Sequence, residues 1–83
     1  MMAVQSQSRV LNPTNDFLEA LLGEFEGECR RALQLIEQLK KTNPDDELRE
    51  DLEADLAVSL ERFTWLAQDI LQEWDRVVES LPE

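Results

Sequence analysis

The stretch KKTNPDDELRE, residues 40–50, decides the fold. It lies between two long segments of helical apolar periodicity and carries the stop signal of one helix and the start signal of another. Lys40 and Lys41 suit the negative, C-terminal end of a helix dipole. Asn43 is suited to cap a new N-terminus with its side-chain oxygen, and Pro44 fits a first helical position, where no N–H is needed. Asp45, Asp46 and Glu47 then place negative charge at the positive end of the second dipole. A turn this short forces the two helices antiparallel. The expected fold is all-α: an antiparallel helical hairpin of two long amphipathic helices, with helix one at about 13–41, a turn at 42–44 and helix two at about 44–81.

Upstream of the turn, Leu18, Leu22, Phe25, Cys29, Ala32, Ile36 and Leu39 follow a 4-3-4-3-4-3 spacing, a heptad seam typical of coiled coils. Leu21, Leu33 and Leu35 flank it and widen the apolar stripe, which suits a bundle better than a two-stranded zipper. Glu26–Arg30 and Glu37–Lys41 are favourably ordered i,i+4 pairs on the solvent side. Downstream, Leu52, Leu56, Leu60, Phe63, Ala67, Ile70, Trp74, Val77 and Leu81 share one face, which puts Trp74 in the expected core, and Pro82 ends the helix. Asn12-Pro13 repeats the Asn-Pro start, with Asp16 in the first turn. Residues 1–11 are polar and aperiodic and read as a flexible N-terminal arm, with Val10 and Leu11 as points where it could dock; residues 12–82 form the hairpin domain.

The helices differ in length. At about 1.5 Å per residue they span roughly 42 and 55 Å, so the segment with Trp74, Val77, Val78 and Leu81 overhangs the first helix. Apolar overhang needs a cover. A second copy provides one and makes a homodimeric four-helix bundle; the arm is the other candidate. An 83-residue core rarely supplies more than ~3–5 kcal/mol without disulfides, metal or oligomerisation. With one cysteine and no histidine, oligomerisation is the means that remains.

The same inventory excludes chemistry. No histidine is present to serve as general base or metal ligand, and Cys29 sits on the apolar stripe, where a thiol stays protonated. No phosphate-cradling glycine loop occurs, and the acids of DDELREDLEAD point around a helix and cannot converge on one ion. The expectation is therefore a non-enzymatic protein with no catalytic residues, cofactor or metal site. A lone cysteine and the absence of a signal-like or ~20-residue apolar run point to a cytoplasmic protein that makes no membrane contact.

The formal net charge is −11, with six acids and five bases in residues 1–44 against thirteen and three in 45–83. Such a chain is repelled by nucleic acid and by anionic lipid and attracted to basic protein surfaces. The patch Glu47, Glu50, Asp51 and Glu53 is the candidate acidic surface. Two further features break the helical pattern. Trp65 and Val58 fall opposite the stripe of helix two, among Glu61, Arg62, Gln68 and Asp69, in the manner of an apolar interface anchor with a polar rim. Gly23 and Gly27 fall opposite the stripe of helix one, where two glycines cost about 2 kcal/mol relative to alanine. With Ala20 they leave a low shelf that a partner helix could approach. Trp65, Val58, Glu61, Asp69, Gly23 and Gly27 are thus the candidate partner-binding residues. The function expected is a protein–protein interaction module: an adaptor, assembly factor or regulatory subunit. The alternative is an acidic inhibitor of a basic or nucleic-acid-binding protein, in the manner of antitoxins and DNA mimics.

Overall fold

The computed structural model describes residues 9–81. Two helices, α1 (Asp16–Lys40) and α2 (Glu47–Glu79), form an antiparallel hairpin. Both begin later than the Asn-Pro signals imply. Asn43 and Pro44 belong instead to a turn closed by the Asp46 N–H on the Asn43 carbonyl at 3.0 Å. Asp46 is the N-cap, accepting the Leu48 N–H at 2.9 Å. Asn15 is the N-cap of α1, accepting the Leu18 N–H at 2.7 Å. In each case proline serves the turn ahead of a better cap, since its fixed φ suits a turn as well as a first helical position. Ser80 closes α2 through its N–H on the Arg76 carbonyl, and Pro82 lies outside the described residues.

Four contacts set the register. The Phe25 and Phe63 rings lie 4.5 Å apart, Ser59 donates to Glu28, Asn15 donates to Glu73, and Arg49 donates to the Leu39 carbonyl. This places Leu18, which is fully buried, level with Ile70. Leu18, Leu21, Leu66, Ile70 and Val77 make the main apolar cluster, and Ala32, Leu35 and Leu52 are buried nearer the turn.

The seam is rotated from the one apolarity suggests. On α1 it runs Leu18, Leu21, Phe25, Glu28, Ala32, Leu35, Leu39, and on α2 Arg49, Leu52, Leu56, Ser59, Phe63, Leu66, Ile70, Glu73, Val77; all of these are buried or half-buried. Four residues placed in the core by periodicity are therefore exposed: Ile36, Leu60, Trp74 and Leu81. Cys29 is half-buried beside the seam. The reason is that Glu28, Ser59 and Glu73 take seam positions, which shifts the apolar neighbours Cys29, Leu60 and Trp74 outward by one residue each.

The overhanging end of α2 is partly covered by the chain ahead of α1. Leu11 packs on the cluster that includes Val77. The Glu19 carboxylate gathers the Val10 N–H at 2.8 Å, the Leu11 N–H at 3.1 Å and the Thr14 hydroxyl at 2.7 Å, while Arg9 pairs with Asp16. Residues 1–8 of the expected arm lie outside the described residues. Trp74, Val78 and Leu81 keep their exposure. No helix among the described residues is long and apolar enough to cross a membrane.

Candidate interaction surfaces

The polar seam residues are all partnered. Glu28 and Ser59 are buried between the helices, and Arg62 bonds the second Glu28 oxygen at 3.0 Å from the rim. The Ser59 and Arg62 hydrogen bonds hold the Glu28 carboxyl below the ordinary carboxylate range, against the effect of burial. Glu73 repeats the arrangement: Arg76 at 2.7 Å and Asn15 at 2.8 Å hold its carboxyl low. Asn15 thereby caps α1 with its oxygen and ties α1 to α2 with its amide N–H. Arg49 spans the turn, donating to the Leu39 and Thr42 carbonyls at 3.2 Å while pairing with Glu53. Glu19 is likewise held low, chiefly by the Val10 N–H and the Thr14 hydroxyl. These groups are structural. Among the described residues no group of side chains is placed to hold a metal ion.

In an antiparallel pair the two flanks of the seam become the two faces of the hairpin. One flank carries Glu28 with Arg62, and a hollow shared by Phe17, Asp69, Gln72, Glu73 and Arg76. It is predominantly charged. The other flank carries Leu22, Cys29, Leu33 and Ile36 of α1 and a second heptad column of α2: Ala57, Leu60, Thr64, Ala67, Leu71, Trp74, Val78 and Leu81. That column keeps a strict 3-4 alternation and contains no charged residue. Leu71 is 63% exposed, Leu33 62% and Trp74 39%. Taken together, the exposed large side chains of this face amount to on the order of 600 Å², which exceeds the few hundred Å² of apolar patch that monomers usually show and approaches the ~800 Å² per partner of a standard interface.

Trp65 lies about 150° around α2 from the middle of this column, on the charged side. It is 64% exposed and Val58, two turns away on the same strip, 56%. Glu61 and Asp69 are exposed near them. Gly23 and Gly27 are exposed on the outer side of α1, with no neighbouring atom within 4 Å of the space a Cβ would occupy. Gly27 and Ala20 share the charged face with Trp65, whereas Gly23 lies at the outer edge of the hairpin. The six candidate partner-binding residues therefore form a strip on α2 and a bare shelf on α1 rather than one pocket. Glu47, Glu50, Asp51 and Glu53 are exposed beside the turn, and Glu47, Glu50 and Glu53 line a shallow hollow with Pro44, Asp45, Asp46 and Arg49.

Sequence patterning missed Asn15, Glu28, Arg49, Ser59 and Glu73, the residues that set the register. The available signal was the regular 3-4 spacing that survives when polar residues are allowed into the seam. No protein-family model, curated protein or solved structure matches the chain.

Proposed function

We propose that this chain is a non-enzymatic cytoplasmic interaction module: a helical hairpin that pairs with a second copy as a four-helix bundle and offers its other face to a different protein. One observation carries the reading. A single hairpin bears two apolar surfaces on opposite sides: a broad one whose α2 column carries no charge, with Asp75 at its margin beside Leu71, Trp74 and Val78, and a small one, Trp65 with Val58, ringed by charge. The broad surface suits a permanent contact and the small one a partner that comes and goes. If the broad face is occupied by the second copy, Trp65 is left facing outward and available. The lone cysteine fits a reducing compartment.

A second reading has its own support. Arg49, the one base among seven acids in residues 43–55, donates to helix-end carbonyls, so the start of α2 presents mainly acids, with Lys40 and Lys41 exposed across the turn at the end of α1. This favours a basic partner surface, including that of a nucleic-acid-binding protein. One experiment separates the two: capture of native partners on immobilised wild type, Trp65→Ala, and the glutamine variant of Glu47, Glu50, Asp51 and Glu53, at moderate and high salt. The adaptor reading expects capture that survives high salt and is lost in Trp65→Ala, with assembly and melting unchanged. Capture lost at high salt and in the glutamine variant supports the acidic-inhibitor reading. Partners retained in full by Trp65→Ala contradict the assignment of that residue.

A further inference from the structure

We infer that the second copy docks on the outer column of α2 with its own outer column, antiparallel, about a two-fold axis level with residue 69. The inference rests on the dimeric reading above and adds its surface, direction and register. Three features of the column lead to it.

The first is size. The N-terminal half of the column is mostly small and the C-terminal half large. In the antiparallel register about residue 69, Ala57 faces Leu81 of the second copy, Thr64 faces Trp74 and Ala67 faces Leu71. Leu71, Trp74 and Leu81 each meet a small residue, as close packing of facing layers favours, and Leu60 meets the medium-sized Val78. A parallel pairing sets Trp74 against Trp74 and Ala57 against Ala57, which crowds one end and leaves a void at the other.

The second is charge. Each copy carries −11, so two copies can approach only where acids are absent. The column is uncharged from Ala57 to Leu81, and its next members toward the N-terminus are Glu53 and Glu50. In the proposed register both acids lie beyond the second copy's Leu81. Sliding one heptad toward the turn puts Glu53 against Val78, and sliding the other way shortens the overlap.

The third is what the register covers. The exposed end of α2 that α1 fails to reach, residues 73–81, comes level with residues 23–31 of the other copy's α1, and Leu33, itself uncovered in the hairpin, lies just past that stretch. One contact thus covers the overhang and brings it beside the open flank of α1.

The test is directed crosslinking in a Cys29→Ser background, with Leu60→Cys and Val78→Cys prepared separately. Both sites are exposed, so the hairpin tolerates them. In the proposed register Leu60 faces Val78 of the second copy, whereas identical positions are 18 residues apart along the helix, about 27 Å. Oxidation of an equilibrated mixture should give the mixed covalent dimer, and neither variant alone should crosslink. Crosslinking of each variant alone overturns the antiparallel register. A dimeric mass without any crosslink overturns the surface while sparing the dimer, and a monomeric mass overturns both. As a second readout, Thr64→Trp should raise the dissociation constant at least about tenfold by overpacking, and adding Trp74→Thr in the same chain should restore it. Absence of that rescue also counts against the register.

Discussion

Two heptad columns run along α2, and they differ in what interrupts them. The inner one, against α1, contains Arg49, Ser59 and Glu73, each hydrogen-bonded to the other helix or to a neighbour that locks it. The outer one contains no charge, and only Ala57, Thr64 and Ala67 break its run of large side chains. Polar groups buried between two helices are costly unless paired, so they permit one alignment and penalise a slip. An uncharged column tolerates slips unless size selects among them. The inner seam is therefore specified by hydrogen bonds at fixed levels, whereas in the proposed dimer the outer seam is selected by the order of small and large residues. The internal fold uses polar specificity, and the proposed association relies on shape.

This contrast can be broken most strongly at Leu18, the one fully buried apolar residue of the inner seam. Leu18→Ala should cost about 2–5 kcal/mol, the range for truncating a buried leucine. Denaturant unfolding at several protein concentrations checks it. The loss should appear at every concentration, because the residue serves the hairpin itself and acts independently of association. A loss confined to dilute samples would mean that Leu18 belongs to the association face.

The glycines offer a smaller change on neither seam. Nothing lies within 4 Å of a Cβ at Gly23 or Gly27, so Gly23→Ala with Gly27→Ala should raise stability by up to about 2 kcal/mol. The molecular mass should not change. If partner capture weakens while stability rises, the bare shelf is a contact surface; if capture is intact, the glycines are only tolerated.

The smallest effect is expected from Glu28→Gln, which keeps the shape and removes the charge of a polar layer. The Glu28 carboxyl is held below its ordinary value, about 4.3, by Ser59 and Arg62. A depressed pKa in the folded state contributes stability that is present above the unfolded value and is lost as pH falls through the folded one. The difference in stability between wild type and Glu28→Gln should therefore be steady near neutrality and shrink below about pH 4. A difference that stays constant into acid would show that Glu28 acts by shape alone.

The hairpin was legible in the sequence because long amphipathic periodicity and a turn rich in caps are local signals. The overhang of α2 was legible too, since it needs only helix lengths and an antiparallel turn. The inner seam was not. Tracing the most apolar residues led from Glu28 to Cys29, from Ser59 to Leu60 and from Glu73 to Trp74, one position off each time. The partners that make those polar residues acceptable in a seam are distant in sequence: Ser59 for Glu28 and Asn15 for Glu73. No local pattern reveals such pairs. The same error hid the outer column, because apolar periodicity assigns half of it, Leu60, Ala67, Trp74 and Leu81, to the core. The candidate surface around Trp65 was legible because it depends only on where one helix puts a large side chain. The caps moved because Asn15 and Asp46 compete with the Asn-Pro pairs three residues earlier, and local propensity does not rank the two.

The central claim is that the outer column of α2 holds two copies together. The direct test is the mass of the wild type and of Leu71→Glu by sedimentation equilibrium at micromolar concentration, with helix content followed in parallel. Leu71 is exposed in the hairpin, so a glutamate there leaves the fold intact but sets a charge in the middle of the docked face. The expected result is a wild type at twice the 9.6 kDa chain mass and a variant at 9.6 kDa with unchanged helicity. A wild type that folds cooperatively at 9.6 kDa, or a Leu71→Glu variant that remains dimeric, would contradict it.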